Sequence, residues 1–195
     1  SMGDVATATR MALKNLEVFE QGGFDFITTS CATCGYGLKT LLKKLLGDDP
    51  VLKDRVEAFS LKVRDITELL VNELGFKGDA SRKGAGKKLT VTYHDPCHLN
   101  RAQGIRKAPR ELIANADGVM FKEMRFPCSC CGLGGGLSTT NYELSIEIAR
   151  RKAQSVKESG ADVLATACPG CIVQLRDAMH RYGVDVKVVH VVELL

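Results

Sequence analysis

Cysteine is the residue type through which this chain could do chemistry, because its cysteines are numerous and clustered. The sequence holds eight, three of them within four positions of FPCSCCGLGGG (residues 126–136), where four glycines follow in the next five positions. Two CxxC pairs, Cys31–Cys34 and Cys168–Cys171, and the single Cys97 complete the set. With no signal peptide visible, such clusters indicate metal binding or redox chemistry more than a disulfide framework.

The composition narrows the classes of protein to consider. Hydrophobic residues make up 45% of the 195 residues and charged residues 26%, so the chain can bury a core. The net charge is only +4 and aromatic residues are 6%, with no tryptophan. We therefore expect no nucleic-acid partner. No apolar run is long enough to span a bilayer, which predicts no transmembrane segment. We expect a cytoplasmic protein, at most peripheral at the inner face of the membrane through its partners.

An internal repeat organises the chain. The stretch FDFITTSCATCGYGLKTLLKKL (24–45) matches ADVLATACPGCIVQLRDAMHRY (161–182), and the match aligns the first cysteine of one CxxC with the first cysteine of the other. Further along, VRDITELL (63–70) matches VVHVVELL (188–195). The shared residues fall where secondary structure is expected to change, which indicates two copies of one structural unit.

Each copy alternates helices and short strands. A helix precedes a buried strand, at residues 24–29 in the first copy and 161–166 in the second, and the CxxC lies where that strand ends. A second helix follows, and then a further strand, which we place within EAFSLKV (57–63) and DVKVVH (185–190). This alternation predicts an α/β fold with short parallel strands and flanking helices.

The repeat also predicts the domain organisation. Residues 1–75 correspond to the latter half of a first repeat and residues 89–195 to a complete second one. Residues 76–88, rich in glycine and lysine, are predicted to be a linker or surface loop. The counterpart of the adjacent cysteines 130 and 131 would precede residue 1. We therefore expect the first repeat to be truncated and the chain to be a fragment of a longer protein.

Parallel strands explain how distant cysteines could meet. Their carboxyl ends gather at one edge of a sheet, so three strand ends would bring five cysteines of the second repeat into one crevice. Gly132 and Gly134 would let the backbone approach sulfur and direct N–H groups at it. His94 and His98 flank Cys97 and could hydrogen-bond sulfur or serve as ordinary caps. A four-ligand zinc site, a redox-active CxxC pair and unrelated buried thiols remain alternatives.

The motifs DPCH, CSCCGLGGG and TACPGCIVQL resemble the cysteine-rich, or CCG, domain family. This domain occurs in heterodisulfide reductase and in the iron–sulfur subunits of glycolate oxidase, lactate dehydrogenase and anaerobic glycerol-3-phosphate dehydrogenase. The stretches YHDPCHLNR and TTSCATCG are most similar to the glycolate oxidase and lactate dehydrogenase iron–sulfur subunits.

The resemblance implies a [4Fe–4S] cluster, of the noncubane type, bound by one complete repeat. The implied ligands are Cys97, Cys130, Cys131, Cys168 and Cys171. Cys31 and Cys34 would form an incomplete second site, and Cys128 would lie beside the cluster without binding it. Some copies in the family hold zinc instead. Because thiols and exposed clusters are sensitive to oxygen, an aerobic preparation could lack the cofactor.

The resemblance further implies an iron–sulfur electron-transfer module of a flavin-linked 2-hydroxyacid oxidoreductase complex that acts on glycolate or lactate. Its partner would be a flavoprotein subunit that carries the flavin and the hydroxyacid site. Electrons would continue to a quinone or another acceptor. Two alternatives remain: a catalytic subunit of the heterodisulfide reductase type, and a zinc-stabilised interaction module without redox function.

Overall fold

A computed structural model describes residues 3–77 and 88–195. The first range contains α1 (Val5–Gln21), β1 (Ile27–Thr29), α2 (Ala32–Tyr36), a π-helical segment (Gly37–Leu41), α3 (Leu42–Leu46), α4 (Lys53–Lys62), β2 (Val63–Asp65), α5 (Ile66–Glu68) and a second π-helical segment (Leu69–Glu73). The second range contains β3 (Leu89–His94), α6 (Cys97–Gln103), α7 (Lys107–Asn115), β4 (Val119–Phe121), α8 (Leu137–Thr140), α9 (Tyr142–Ser159), β5 (Val163–Thr166), α10 (Pro169–Arg181), β6 (Lys187–His190) and a 3-10 turn (Val191–Leu194).

The strands form two parallel sheets, one of β1 and β2 and one in the order β4-β3-β5-β6. This confirms the predicted α/β class with short parallel strands. From β3 the chain crosses to β4 on one side, and β5 lies on the other side. The order therefore reverses beside β3. Crevices at the carboxyl ends of strands at such a reversal are where α/β proteins bind ligands.

The matched stretches of the two copies have the same strand register. The sequence alignment makes Ile27 equivalent to Leu164 and Val63 equivalent to Val188. In the first sheet Ile27 pairs with Val63. In the second sheet Leu164 pairs with Val188. The two CxxC motifs thus follow equivalent strands, whereas the domain boundaries remain a prediction, and residues 78–87 of the predicted linker lie outside the described residues.

The strand predicted within residues 57–63 is wrong for most of its length. Those residues continue helix α4 to Lys62, and only Val63 enters β2. Val56, Phe59 and Val63 are buried at spacings of three and four, which is a helical period rather than the alternation of a strand. A short run of this kind is compatible with both the helical period and the two-residue period of a strand, and in the structure it is helical.

The turn that carries the first CxxC packs onto the second sheet. Ala32 is fully buried within the larger core, which is otherwise built mainly from the second range. Its backbone N–H donates to the carbonyl of Ala167, at the end of β5, over 3.2 Å. This contact brings Thr33 next to the cysteines that follow β5.

None of the helices within residues 3–77 and 88–195 combines the length and the apolar character needed to cross a membrane.

Candidate metal centre

The five cysteines predicted to converge line one cavity at the carboxyl end of the second sheet. The cavity has a volume of about 110 Å³. Pockets for organic ligands typically measure about 300–1,000 Å³, so this space suits an ion or a small inorganic cluster. The predicted residues that line it are Cys97, Cys130, Cys131, Cys168, Cys171, His94, His98 and Gly134. That these cysteines bind a metal stays a prediction.

Strand ends and helix starts position the sulfur atoms. Cys97 is the first residue of α6, shortly after β3, and Cys168 is the N-cap of α10, shortly after β5. Cys171 lies in the first turn of α10, which Pro169 opens. Pro suits the start of a helix because its fixed φ is helical and its missing N–H has no partner there anyway. The thirteen-residue α10 directs the positive end of its dipole at the sulfurs.

The cavity is closed at one end and open at the other. Cys131, Cys168 and Cys171 are buried, Cys130 is half-buried and Cys97 is exposed at the mouth. The Sγ atoms of Cys131 and Cys171 lie 3.6 Å apart. Three of the five cysteines are therefore shielded from water, whereas Cys97 is exposed to it.

The inner cysteines have strongly shifted pKa values. Hydrogen bonding with Cys130 and Cys171 holds the pKa of Cys131 far below its ordinary value. Hydrogen bonding with Cys171 lowers the pKa of Cys168 to about 4. The pKa values of Cys130 and Cys171 are raised, chiefly by their hydrogen bonds with Cys131. Since the thiolate is the form that binds metal, the cavity is prepared for a cation.

Gly132 shapes the turn after the adjacent cysteines. Its φ is +103°, a conformation that other residues rarely adopt, and a Cβ atom there would lie 2.5 Å from the carbonyl oxygen of Ser145. Its N–H donates to the Sγ of Cys130 over 3.3 Å, and its own carbonyl accepts from the Ser145 hydroxyl over 2.9 Å. The turn therefore needs glycine for both its conformation and its packing.

Lys152 is a buried cation that the sequence analysis missed. Only 1% of it is exposed, and its Nζ donates to the carbonyls of Phe126 (2.5 Å) and Pro127 (3.2 Å). Burial lowers the pKa of Lys152 to about 8, so the side chain is still largely protonated at neutral pH. It thus holds the segment before the adjacent cysteines and places positive charge near the thiolates. Its spacing from Ala149 and Ala153 on the buried face of α9 was the available sequence signal.

Replacing Lys152 should destabilise the metal-free protein. In Lys152→Ala two carbonyls lose their donor and a cavity forms, so we expect the free energy of unfolding of the reduced, metal-free protein to fall by about 2–4 kcal/mol. Lys157, exposed in the last turn of the same helix, provides the control, and Lys157→Ala should stay within about 0.5 kcal/mol of the wild type. Urea denaturation measures both. Equal effects would show that the buried contacts of Lys152 contribute little.

Cys128 does not line the cavity. Its thiol donates to the carboxylate of Asp95 over 3.2 Å and accepts from the side-chain amide of Asn100 over 3.2 Å. Two hydrogen bonds of 2.9 and 2.8 Å from Arg110 hold the same carboxylate. Burial and the neighbouring Asp95 raise the pKa of Cys128. It is therefore a neutral thiol that ties the loop before Cys130 to the end of β3.

The two predicted histidines occupy different places. His98 stacks on Tyr36, with ring centroids 4.7 Å apart, and its Nδ1 lies 3.0 Å from the Thr33 hydroxyl. The Thr33 oxygen lies in turn 3.7 Å from the Sγ of Cys168, so the first half of the chain reaches the cavity through a residue that the sequence analysis missed. His94 is buried, and burial lowers its pKa although the Cys131 thiolate acts in the opposite direction. It is a neutral imidazole.

Cys31 and Cys34 lie outside the cavity. Cys31 is the N-cap of α2, where its sulfur accepts from the N–H of Cys34 over 3.4 Å. Burial raises the pKa of Cys31 to about 11, which keeps it protonated. Cys34 is exposed and lines a separate, apolar pocket against α1 and α3. That the pair is an incomplete second site remains a prediction.

Comparisons with known proteins agree with these motifs. A family model described as a cysteine-rich domain (CCG) matches residues 1–39 and 91–176. The chain is 31% identical over 186 residues to lactate utilization protein A of an Exiguobacterium species, which covers 95% of this chain and 74% of that protein. It is 36% identical over 174 residues to one of the subunits of fumarate reductase (CoM/CoB) of Methanothermobacter marburgensis, and the match covers 89% of this chain and 32% of that subunit. It is 35% identical over 196 residues to the probable glycolate oxidase iron–sulfur subunit of Bacillus subtilis, and the match covers 99% of this chain and 43% of that subunit. The chain thus spans less than half of the latter two relatives.

Proposed function

Because this chain belongs to the cysteine-rich (CCG) domain family, we propose that it is the iron–sulfur electron-transfer module of a flavin-linked 2-hydroxyacid oxidoreductase complex. The observation that carries the proposal is the convergence of five cysteines on one small cavity. The names of two relatives, a lactate utilization protein and a glycolate oxidase iron–sulfur subunit, support lactate or glycolate as the substrate of the whole complex.

The donor atoms fit an iron–sulfur cluster, and we propose a [4Fe–4S] cluster of the noncubane type. Five thiol sulfurs are soft ligands, and they exceed the four that a tetrahedral zinc site uses. Such a cluster would supply one-electron transfer. Its ligands would be Cys97, Cys130, Cys131, Cys168 and Cys171. Zinc is the alternative occupant.

Groups around the cavity offset the negative charge of such a centre. The N–H of Gly132 donates to the sulfur of Cys130, and the start of α10 faces Cys168. Buried Lys152 adds a full positive charge nearby. Hydrogen bonds and charges of this kind raise the reduction potential of a cluster because they favour the added electron. The exposed sulfur of Cys97 provides the edge at which electrons would enter or leave.

We propose that the flavin and the hydroxyacid bind to a partner flavoprotein subunit and that a quinone or other acceptor receives the electrons. The cavity of about 110 Å³ supports this division, because it has no room for a flavin. A cytoplasmic location, peripheral to the inner face of the membrane through partners, follows from the same proposal. We further propose that residues 1–75 are half of a first repeat, 76–88 a connection and 89–195 a complete second repeat, in keeping with the shared strand register.

A second candidate function is that of a catalytic subunit of the heterodisulfide reductase type. The relative from fumarate reductase (CoM/CoB) favours it, as does the exposure of Cys97 at the mouth of the cavity. Anaerobic assay of the reconstituted chain with a mixed disulfide distinguishes the two. Turnover of the disulfide by this chain would favour the second candidate, and its absence with a reducible cluster would favour the first.

Paired double substitutions test which cysteines hold the metal. After anaerobic reconstitution with iron and sulfide, Cys168→Ser with Cys171→Ser should abolish iron binding, because both side chains line the cavity. Cys31→Ser with Cys34→Ser should leave the iron content nearly unchanged, because neither does. Iron and labile sulfide per chain, with circular dichroism as the folding control, give the answer.

Two results would contradict this assignment. Equal loss of iron in both double variants would place Cys31 and Cys34 within a metal site of their own. If wild-type protein bound zinc and never acquired iron, the proposed electron-transfer function would be wrong, and a zinc-stabilised interaction module would be the better assignment.

A further inference from the structure

Thr33 is the residue through which the first half of the chain reaches the metal cavity. Its hydroxyl oxygen lies 3.7 Å from the Sγ of Cys168 and 3.0 Å from the Nδ1 of His98. It lines the cavity together with the five cysteines. The Thr33 hydroxyl thus stands between a predicted metal ligand and an imidazole nitrogen.

Hydrogen bonds between the two halves of the chain hold the turn that presents Thr33. The N–H of Ala32 donates to the carbonyl of Ala167 over 3.2 Å. The carbonyl of Ala32 accepts from the side-chain amide of Gln103 over 3.0 Å, and the same amide donates to the carbonyl of His98 over 2.9 Å. The hydroxyl is therefore fixed relative to both the sulfur and the ring.

The CxxC turn itself does not require a hydroxyl at this position. The repeat alignment makes Thr33 equivalent to Gly170, which has no side chain. The N-cap residues of the two turns nevertheless have similar backbone angles, with φ −137° and ψ 110° at Cys31 and φ −148° and ψ 117° at Cys168. The local fold thus leaves the Thr33 hydroxyl unexplained, whereas its contact with the sulfur of Cys168 gives it a function.

Metal binding decides which atom of this contact donates. Cys168 would bind a metal as a thiolate, so its sulfur has no proton then and can only accept. The hydroxyl of Thr33 has one proton and can accept as well. When that proton is directed at the sulfur, the oxygen accepts from a protonated Nδ1 of His98. One chain of hydrogen bonds then runs from the ring through the hydroxyl to the sulfur.

We propose that the Thr33 hydroxyl, oriented by His98, donates a hydrogen bond to the sulfur of Cys168 in the metal-bound protein and raises the reduction potential of the centre. The inference rests on the proposed electron-transfer function and makes Thr33 a positioning residue that acts through Cys168. Reduction increases the negative charge on the ligand sulfurs, so a donor stabilises the reduced form more than the oxidised form. The first half of the chain thus helps to set the potential of a centre whose ligands all lie in the second half.

A redox titration monitored by EPR, after anaerobic reconstitution with iron and sulfide, tests the proposal. Thr33→Val keeps the shape of the side chain and loses the hydroxyl. At a fixed potential its ratio of reduced to oxidised cluster should fall about fivefold, the effect of one ordinary hydrogen bond. For a one-electron couple, a ratio about fivefold lower corresponds to a potential lower by about 40 mV. Thr33→Ser keeps the hydroxyl and should retain the wild-type potential. Because Thr33 is exposed, neither change should alter the midpoint of urea unfolding.

Thr29→Val is the matched control. The Thr29 hydroxyl donates to the carbonyl of Cys31 over 3.3 Å, so this change removes a hydroxyl from the same turn without touching a sulfur of the cavity. It should leave the potential unchanged.

His98→Phe tests the origin of the chain of hydrogen bonds. It removes the nitrogen next to Thr33 and keeps an aromatic ring that can stack on Tyr36. It should lower the potential in the same direction as Thr33→Val. The double variant should show less than the sum of the two single effects, because both changes break one chain of hydrogen bonds.

Metal-free protein titrated with Co²⁺ gives a readout that does not need the cluster. A hydrogen bond stabilises the lone pairs of the accepting sulfur, so more energy is needed to transfer an electron from that sulfur to the metal. The sulfur-to-cobalt charge-transfer band should therefore move to lower energy in Thr33→Val and stay in place in Thr33→Ser and Thr29→Val.

The outcomes separate this inference from the proposed function. If iron loads and Thr33→Val keeps the wild-type potential, or Thr33→Ser lowers it equally, the inference is overturned while the electron-transfer function stands. If iron does not load but the Co²⁺ band shifts in Thr33→Val alone, the hydrogen bond to sulfur is confirmed and the iron–sulfur function is wrong. If neither metal binds, both are wrong.

Discussion

Cys131→Ser should lose most of the iron that wild-type protein acquires on anaerobic reconstitution. Cys131 is 5% exposed at the deep end of the cavity, and its sulfur lies 3.6 Å from that of Cys171. Hydrogen bonding with the neighbouring cysteines 130 and 171 holds its pKa far below the ordinary value of a thiol. Serine has no accessible anionic form near neutral pH. We expect metal affinity to fall by more than about 100-fold, beyond the range seen for residues outside the first coordination sphere.

A cysteine three positions away provides the control. Cys128 bonds to Asp95 and Asn100 and does not line the cavity, so Cys128→Ser should keep its iron. Iron and labile sulfide per chain, together with the visible absorption of the cluster, measure both variants. Retention of iron by Cys131→Ser would remove Cys131 from the ligand set. Loss of iron in both variants would indicate that the loop itself, rather than one sulfur, decides binding.

Gly132→Ala should both destabilise the protein and lower its iron content, although it removes no ligand. The added Cβ would lie 2.5 Å from the Ser145 carbonyl oxygen and 3.0 Å from the Gln174 amide nitrogen, and the φ of +103° is itself unfavourable. Strained backbone and overpacking each cost about 1–3 kcal/mol, so we expect the free energy of unfolding of metal-free protein to fall by about 2–5 kcal/mol. Iron content should fall as well, because the N–H that donates to Cys130 must move.

Gly183→Ala separates conformation from packing. Gly183 also has a positive φ, +60°, but nothing lies within 4 Å of the position that its Cβ would take. We therefore expect a loss of only about 1–2 kcal/mol, from the backbone conformation alone, and unchanged iron content. Urea denaturation and iron analysis compare the two variants. Equal destabilisation, with iron retained in both, would show that the turn after the adjacent cysteines tolerates a side chain.

Most secondary-structure elements could be predicted because their signals are local. The strand before the second CxxC, β5, is the short buried run that the sequence predicts, and Pro169 marks the start of α10 through its own fixed geometry. The buried strand predicted at residues 24–29 is wrong for most of its length, because β1 begins only at Ile27, which is its one buried residue, and Phe24 and Phe26 are exposed. The prediction for segment 57–63 was wrong because a seven-residue apolar pattern fits both periods. Its helical character follows from the packing of Val56 and Phe59 in the smaller core. Length and tertiary burial, rather than propensity, settle such segments.

Which cysteines could meet follows from the amino-acid order alone, because parallel strands bring their carboxyl ends to one edge of a sheet and the cysteines follow those ends. What surrounds them depends on tertiary packing. Lys152 reaches the carbonyls of Phe126 and Pro127, and Thr33 reaches a sulfur 135 positions away. The helical spacing of Lys152 from Ala149 and Ala153 places it on the buried face of α9, but the partners of Lys152 and of Thr33 depend on how separate elements pack. Burial, hydrogen bonding and the placement of charge around the sulfurs arise from that packing.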